Sequence, residues 1–184
     1  TYTVKLTVDG TTYTQTVAVR NDPRVGESAA TLAALKSQAR LTRLAYQGMK
    51  DTFAANEEVA AVRSQLAPLV QQSGDVGAKA KELDTKLATF GGVVEGRGGR
   101  GGGGGFGGRG GGQAAGAMQS FIQLNNSFNT LVSMMQVGLD MAPTPAQVNT
   151  WEDDCKNYNT TVAAWKKAQA DDLASFGGLK VPPT

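Results

Sequence analysis

The sequence predicts a mainly α fold, an antiparallel bundle of about four helices preceded by a β-hairpin, with a Gly/Arg-rich loop between two of the helices. Three observations predict it. Residues 1–20 alternate apolar and polar side chains around Asp9-Gly10, the strongest short hairpin-turn signal. From residue 28 the apolar period changes to about 3.5 and keeps that value nearly to the end. Residues 96–112 hold 13 glycines in 17 positions and so divide the helical part rather than belong to a helix. The organisation that follows is a hairpin with its connector over 1–25 and a helical bundle over 26–184, carrying the low-complexity loop 96–112.

In the hairpin, Tyr2, Val4, Leu6 and Val8 alternate with Thr1, Thr3, Lys5 and Thr7. Tyr13, Val17 and Val19 continue the apolar face, with Thr12, Thr14, Thr16 and Arg20 on the other. A lone hairpin is marginal in water, so its apolar face must rest on the remainder of the chain or on a partner. The expectation is that it forms the last two strands of a sandwich domain, and that it caps one end of the bundle. Asn21-Asp22-Pro23-Arg24-Val25 is a turn-rich connector, in which proline fixes its own φ and pushes Asp22 towards extended geometry.

Ser28 is placed to cap the first helix. Its apolar positions Leu32, Leu35, Ala39, Tyr46, Met49 and Phe53, with Thr42 in the gap, form an a/d seam that continues as Val59, Val62, Leu66 and Leu69. The helix is expected to reach about residue 72, roughly 67 Å at about 1.5 Å per residue, with Pro68 in its last turns; the alternative is a break near Ala54–Asn56. Asp75 is the expected cap of a second helix with seam Val76, Ala80, Leu83, Leu87 and Phe90, stopped by Gly91-Gly92. A third helix is expected to resume near Gln113, with seam Phe121, Leu124, Phe128, Leu131 and Met135, then Gly138 or Leu139. Met118, Ile122 and Met134 widen its stripe, and it ends before Pro143. Thr144-Pro145-Ala146-Gln147 combines a capping box with proline at the first helical position and opens a fourth helix. Its seam is Val148, Trp151, Cys155, Tyr158, Val162 and Trp165, with the two tryptophans as the largest expected core side chains.

Composition narrows the chemistry. There is no histidine and one cysteine, Cys155, which rules out an internal disulfide and argues against a zinc or haem site built on His and Cys. No run of 18 apolar residues is present. The net charge of +2 comes from Arg97, Arg100 and Arg109. Without those three, 15 basic residues face 16 acidic ones, so the folded remainder is near neutral and no basic stripe is expected on it.

Candidate functional features carry little catalytic chemistry. Arg97 through Phe106 to Arg109 reads like an RGG box, which binds RNA by charge and stacking, but a single aromatic and three charges also fit a flexible connector or an arm that docks on a partner. Asp153-Asp154, Asp171-Asp172 and Glu57-Glu58 are adjacent rather than paired on a face, about 100° apart on a helix, and read as solvated helix surface. Asp171-Asp172 sits at a helix C-terminus against the dipole preference. Cys155 has no histidine to serve as base and reads as a small buried hydrophobe. Met118, Met134, Met135 and Met141 read as core filling, with a soft binding groove as the alternative.

Thr1–Gly10, Tyr13-Thr14-Gln15, Asp22-Pro23-Arg24-Val25 and the stretch from Leu139-Asp140 through Ala142-Pro143-Thr144 and Gln147 to Trp165 resemble the C-terminal region of secreted bacterial proteins that carry a BNR/sortilin-type β-propeller, labelled glycosyl hydrolase or sialidase-like. The resemblance implies an Ig-like end hairpin followed by a helical region, and an exported bacterial protein, periplasmic or extracellular. The propeller has no counterpart in these residues, so no catalytic residue is carried over. The resulting expectation is a non-catalytic interaction or scaffold subunit without cofactor or metal. It binds a protein partner in a larger assembly, such as the periplasmic face of a respiratory or photosynthetic membrane complex, through Tyr2, Val4, Leu6, Tyr13, Arg97, Arg100, Phe106 and Arg109. An accessory domain of a secreted propeller-type glycan-active enzyme and an RGG-type nucleic-acid binder are the alternatives.

Overall fold

A computed structural model describes residues 1–20, 22–24, 28–92, 118–137 and 141–176. Strands β1 (Tyr2–Val8) and β2 (Thr11–Val17) form a two-stranded antiparallel sheet. Among the described residues four α-helices follow: α1 (Ala29–Val70), α2 (Asp75–Ala88), α3 (Phe121–Val137) and α4 (Pro145–Asp171), then a 3-10 turn, η1 (Leu173–Phe176). The predicted class, mainly α with a preceding hairpin, is the observed one.

The hairpin turns at Asp9 and Gly10, both with positive φ (48° and 80°), as a two-residue primed turn requires. The register places Tyr2 opposite Val17 and Leu6 opposite Tyr13. Among the described residues no contact joins the sheet to any helix, so the expected capping of the bundle by the hairpin does not occur.

Helix α1 runs unbroken for 42 residues, past Ala54–Asn56 and through Pro68, and Ser28 caps it by accepting from the Thr31 backbone N–H at 3.1 Å. The cap of α2 lies one residue earlier than expected. Gly74, at φ +83°, is the N-cap and Asp75 is the first helical residue, where its charge meets the helix dipole. Helix α3 starts at Phe121 rather than near Gln113, and the reason is local. The Ser120 N–H donates to Gln123 Oε1 at 2.9 Å and the Gln123 N–H to Ser120 Oγ at 3.4 Å, a second capping box of the kind that opens α4. At α4 itself, Thr144 and Gln147 make both predicted bonds, 3.3 and 2.8 Å.

The core has two parts. The larger one joins Val59, Val62 and Leu66 of α1 to Ala80, Leu83 and Leu87 of α2, with Phe90, Phe121 of α3, Trp165 and Ala168 of α4, and Leu173 of η1. Phe90 and Trp165 stack obliquely at 5.6 Å between ring centres, and the Trp165 indole N–H donates to Glu58 Oε2 at 3.1 Å. The smaller part holds Ala45 of α1 with Leu124, Phe128, Leu131 and Val132 of α3, flanked by Met49, Trp151, Cys155 and Tyr158. The α3 seam is buried as predicted, whereas Val76, Ile122, Met134 and Met141 are exposed rather than core.

The chain closes tightly after α2. The Arg63 guanidinium bonds Asp84 Oδ1 at 2.9 Å and the carbonyls of Gly91 and Gly92, while the Gly92 N–H donates to Asn56 Oδ1 at 2.8 Å. Gly92 (φ +71°) lies against the α1 backbone; a Cβ there would fall 2.7 Å from the Ala60 nitrogen. This position needs glycine for both its φ and its close approach.

Candidate functional site

Among the described residues two surfaces are left uncovered, and the first is the hairpin. All residues of both strands are exposed, and Leu6, Tyr13 and Tyr2 retain 60–67% of their accessible surface. The structure therefore brings four of the predicted partner-binding residues together: Tyr2, Val4, Leu6 and Tyr13 lie on one face, with Leu6 and Tyr13 directly across from each other. Thr7 and Thr12 share a hydroxyl bond of 3.1 Å on the opposite face. Arg97, Arg100, Phe106 and Arg109 lie outside the described residues, as do Gly138 and Leu139.

The second surface is one that the apolar pattern assigns to the core. In the N-terminal half of α1 the buried positions are Leu41, Ala45 and Thr52, not Leu32, Ala39, Tyr46 and Phe53. Gly48 belongs to the same face; a Cβ there would be 2.8 Å from the Phe128 ring, so α3 packs onto α1 through its smallest residue. Polar side chains fix that contact. Asn125 Nδ2 donates to the Met49 carbonyl at 2.6 Å and to Thr52 Oγ1 at 3.1 Å, and Gln38 Nε2 donates to the Met135 carbonyl at 3.1 Å. The observed seam, 41, 45, 48, 52, 55, 59, 62, 66 and 69, is an unbroken heptad. The large apolar residues lie roughly 100° around the helix, the angle between neighbouring positions.

That displaced stripe forms one wall of an open groove of about 550 Å³ between α1 and the end of α3. Leu35, Ala39 and Tyr46 line it from α1, and Val132 and Met135 from α3. Leu32, Tyr46 and Phe53 are 37%, 51% and 60% exposed. Arg43 lines it as well, and Lys36, Arg40 and Lys50 on the same half of α1 are exposed like it. Residues 29–50 contain these four basic side chains and no acidic one, which corrects the expectation that the folded part carries no basic stripe. None of the ion pairs among the described residues involves them.

In each acidic pair one residue is exposed as expected (Glu57, Asp153, Asp171), and the other departs from the solvated reading. Asp154 is buried and accepts from Ser127 Oγ at 2.7 Å. Burial pushes its carboxyl above the ordinary carboxylate range and the neighbouring Asp153 adds to this, against the lowering by the Ser127 bond. Asp171 and Asp172 are held across the adverse helix end by Lys167 (2.6 Å) and by Lys86 of α2 (2.5 Å). Cys155 is half-buried rather than buried, and burial followed by the Asp154 charge raises its thiol pKa. A raised thiol pKa disfavours the thiolate a nucleophile needs. Trp151, Tyr158 and Val162 are likewise half-buried, because Asp154 and Thr161 take the central positions of α4. The Thr161 hydroxyl donates to the Gln119 carbonyl at 2.8 Å.

Among the described residues no cluster of three or more His, Cys, Asp or Glu side chains is placed to hold a metal, and no helix is long and apolar enough to cross a membrane. Compared with known proteins, the chain matches no family model, no curated protein and no solved structure.

Proposed function

We propose that this chain is a non-catalytic interaction or scaffold subunit that acts outside the bacterial cytoplasm and binds a protein partner in a larger assembly. The observation that carries the reading is the hairpin. A two-stranded sheet with Tyr2, Val4, Leu6 and Tyr13 exposed on one face gains its stability by resting on another apolar layer. The bundle adds an apolar core crossed by a few hydrogen-bonded polar side chains, among them Thr52, Asp154 and Thr161. The extracytoplasmic setting rests on the resemblance of the hairpin and connector to secreted propeller proteins, and the outer face of a membrane complex is one location within that compartment, which no residue of the chain indicates.

The test is the native mass of the protein from its natural source, before and after Leu6→Asp and Tyr13→Asp. The reading expects the 19.1 kDa chain within a larger particle and its release by the double substitution, with the unfolding transition of the bundle unchanged. A free monomer, or a particle indifferent to both changes, counts against it. The same exposed face favours one second reading, an accessory domain of a secreted propeller-type glycan-active enzyme. In that case peptide mapping of the natural protein finds the covering layer in the same polypeptide.

A further inference from the structure

We infer that the groove along the N-terminal half of α1 is a docking site for an amphipathic helix with acidic flanks, supplied by a partner protein. The inference concerns a different surface from the hairpin and stands without it.

Three observations select the occupant. Leu32, Leu35, Ala39, Tyr46 and Phe53 keep a/d spacing over three heptads, the pattern that packs a helix lengthwise, while Met49 in the same register packs on the smaller core. A lipid surface requires no such narrow periodic stripe, only a broad apolar face. The middle of the stripe, Leu35, Ala39 and Tyr46, is also walled on one side by Val132 and Met135 of α3, so the surface is concave there, as a helix ridge requires and a membrane plane does not. Finally, Lys36, Arg43 and Lys50 repeat every seven residues on the open side of the stripe, at the positions that face the flank of a docked helix. Three exposed cations in that register, with no acidic residue between 29 and 50, select carboxylates opposite. The same row disfavours a second copy of this chain, because an antiparallel pairing of two stripes sets lysine and arginine against lysine and arginine.

The test uses the full chain and a fluorescent three-heptad peptide with Leu at a and d and Glu at the flanking positions, followed by anisotropy. The expected result is saturable binding that weakens between about 50 mM and about 500 mM salt as the screening length falls. A Tyr46→Glu/Phe53→Glu variant is expected to bind roughly tenfold more weakly or worse, since both side chains lie on the stripe. Its thermal transition should match the parent, because both residues are exposed. The hairpin variant Leu6→Asp/Tyr13→Asp is expected to bind the peptide normally, which separates this site from the hairpin reading. No binding of the acidic peptide overturns the inference, as does equal binding of the same peptide with Lys in place of Glu. So does preferential binding of phosphatidylserine vesicles or of oligouridylate, or a dimer in sedimentation that Tyr46→Glu dissociates.

Discussion

Between Thr52 and Val70, α1 packs against α2 and α4 as well as the start of α3, and Val59, Val62 and Leu66 fill its seam. Between Ala29 and Asp51, the neighbour across the seam is α3, and the seam is made of Leu41, Ala45 and Gly48, while Tyr46 and Leu32 face outward. The charge divides in the same place: four basic and no acidic residues over 29–50, against Asp51, Glu57, Glu58 and Arg63 over 51–70. One continuous heptad thus serves two purposes. Where a helix has neighbours on two sides, large side chains turn inward. Where it has one neighbour, close approach through small residues leaves the large ones free for another surface.

The two halves should respond unequally to truncation, and the covered half most. Trp165→Ala is expected to lose about 3–5 kcal/mol in chemical denaturation, since it removes a buried indole, its Phe90 contact and its bond to Glu58. Half-buried Trp151→Ala is expected to lose about 1–2 kcal/mol, a size that fits a partly exposed position. Equal losses at the two tryptophans would erase the distinction between the parts of the core.

Next comes the α1–α3 approach. Gly48→Ala gains about 1 kcal/mol of helix propensity but pushes a methyl group into the Phe128 ring, an overpacking cost of about 1–3 kcal/mol. The net expectation is a small loss, which should shrink or reverse when the same change is made in a Phe128→Leu background. A gain in the single variant would mean that the helices separate freely there.

Asp154→Asn probes the polar centre of α4 through pH. The folded-state carboxyl pKa is raised, so the native protein holds this proton more tightly than the unfolded chain. The burial penalty is therefore fully present above the raised pKa. It lifts as pH falls through that value and is gone below the ordinary aspartate pKa. The amide keeps an acceptor for Ser127 and carries no charge. The variant is expected to melt higher than the parent at pH 7 and to match it in acid; a lower melt at pH 7 would show that the carboxylate itself is stabilising. The smallest effect belongs to the uncovered stripe, where Phe53→Ser should shift stability by about 0.5 kcal/mol or less. A larger loss would show that the stripe belongs to the core of the chain.

Several elements are legible in the local pattern of the chain. The Asp9-Gly10 turn, the Ser28 cap and the Thr144–Gln147 box are set by side chains bonding to backbone a few residues away, and each stands where the pattern places it. The second box at Ser120–Gln123 carries the same signal and marks the true start of α3. The hairpin residues Tyr2, Val4, Leu6 and Tyr13 share a face because strand alternation allows nothing else. The burial of Asp154 and Thr161 has no such signal, since their partners Ser127 and Gln119 are remote in sequence.

The helical period, the Ser28 and Thr144 caps and the two faces of the hairpin thus follow from the order of residues alone, because they depend on backbone geometry and on neighbours within one turn. Which of two heptad stripes on α1 faces inward is a matter of tertiary packing. Apolarity favours Leu32, Tyr46 and Phe53, but the α1–α3 distance is set by the hydrogen bonds of Asn125 and Gln38 and by the Phe128 ring over Gly48. Where Phe128 lies over Gly48 only the smallest side chain fits between the helices, and Tyr46 and Phe53 remain at the surface.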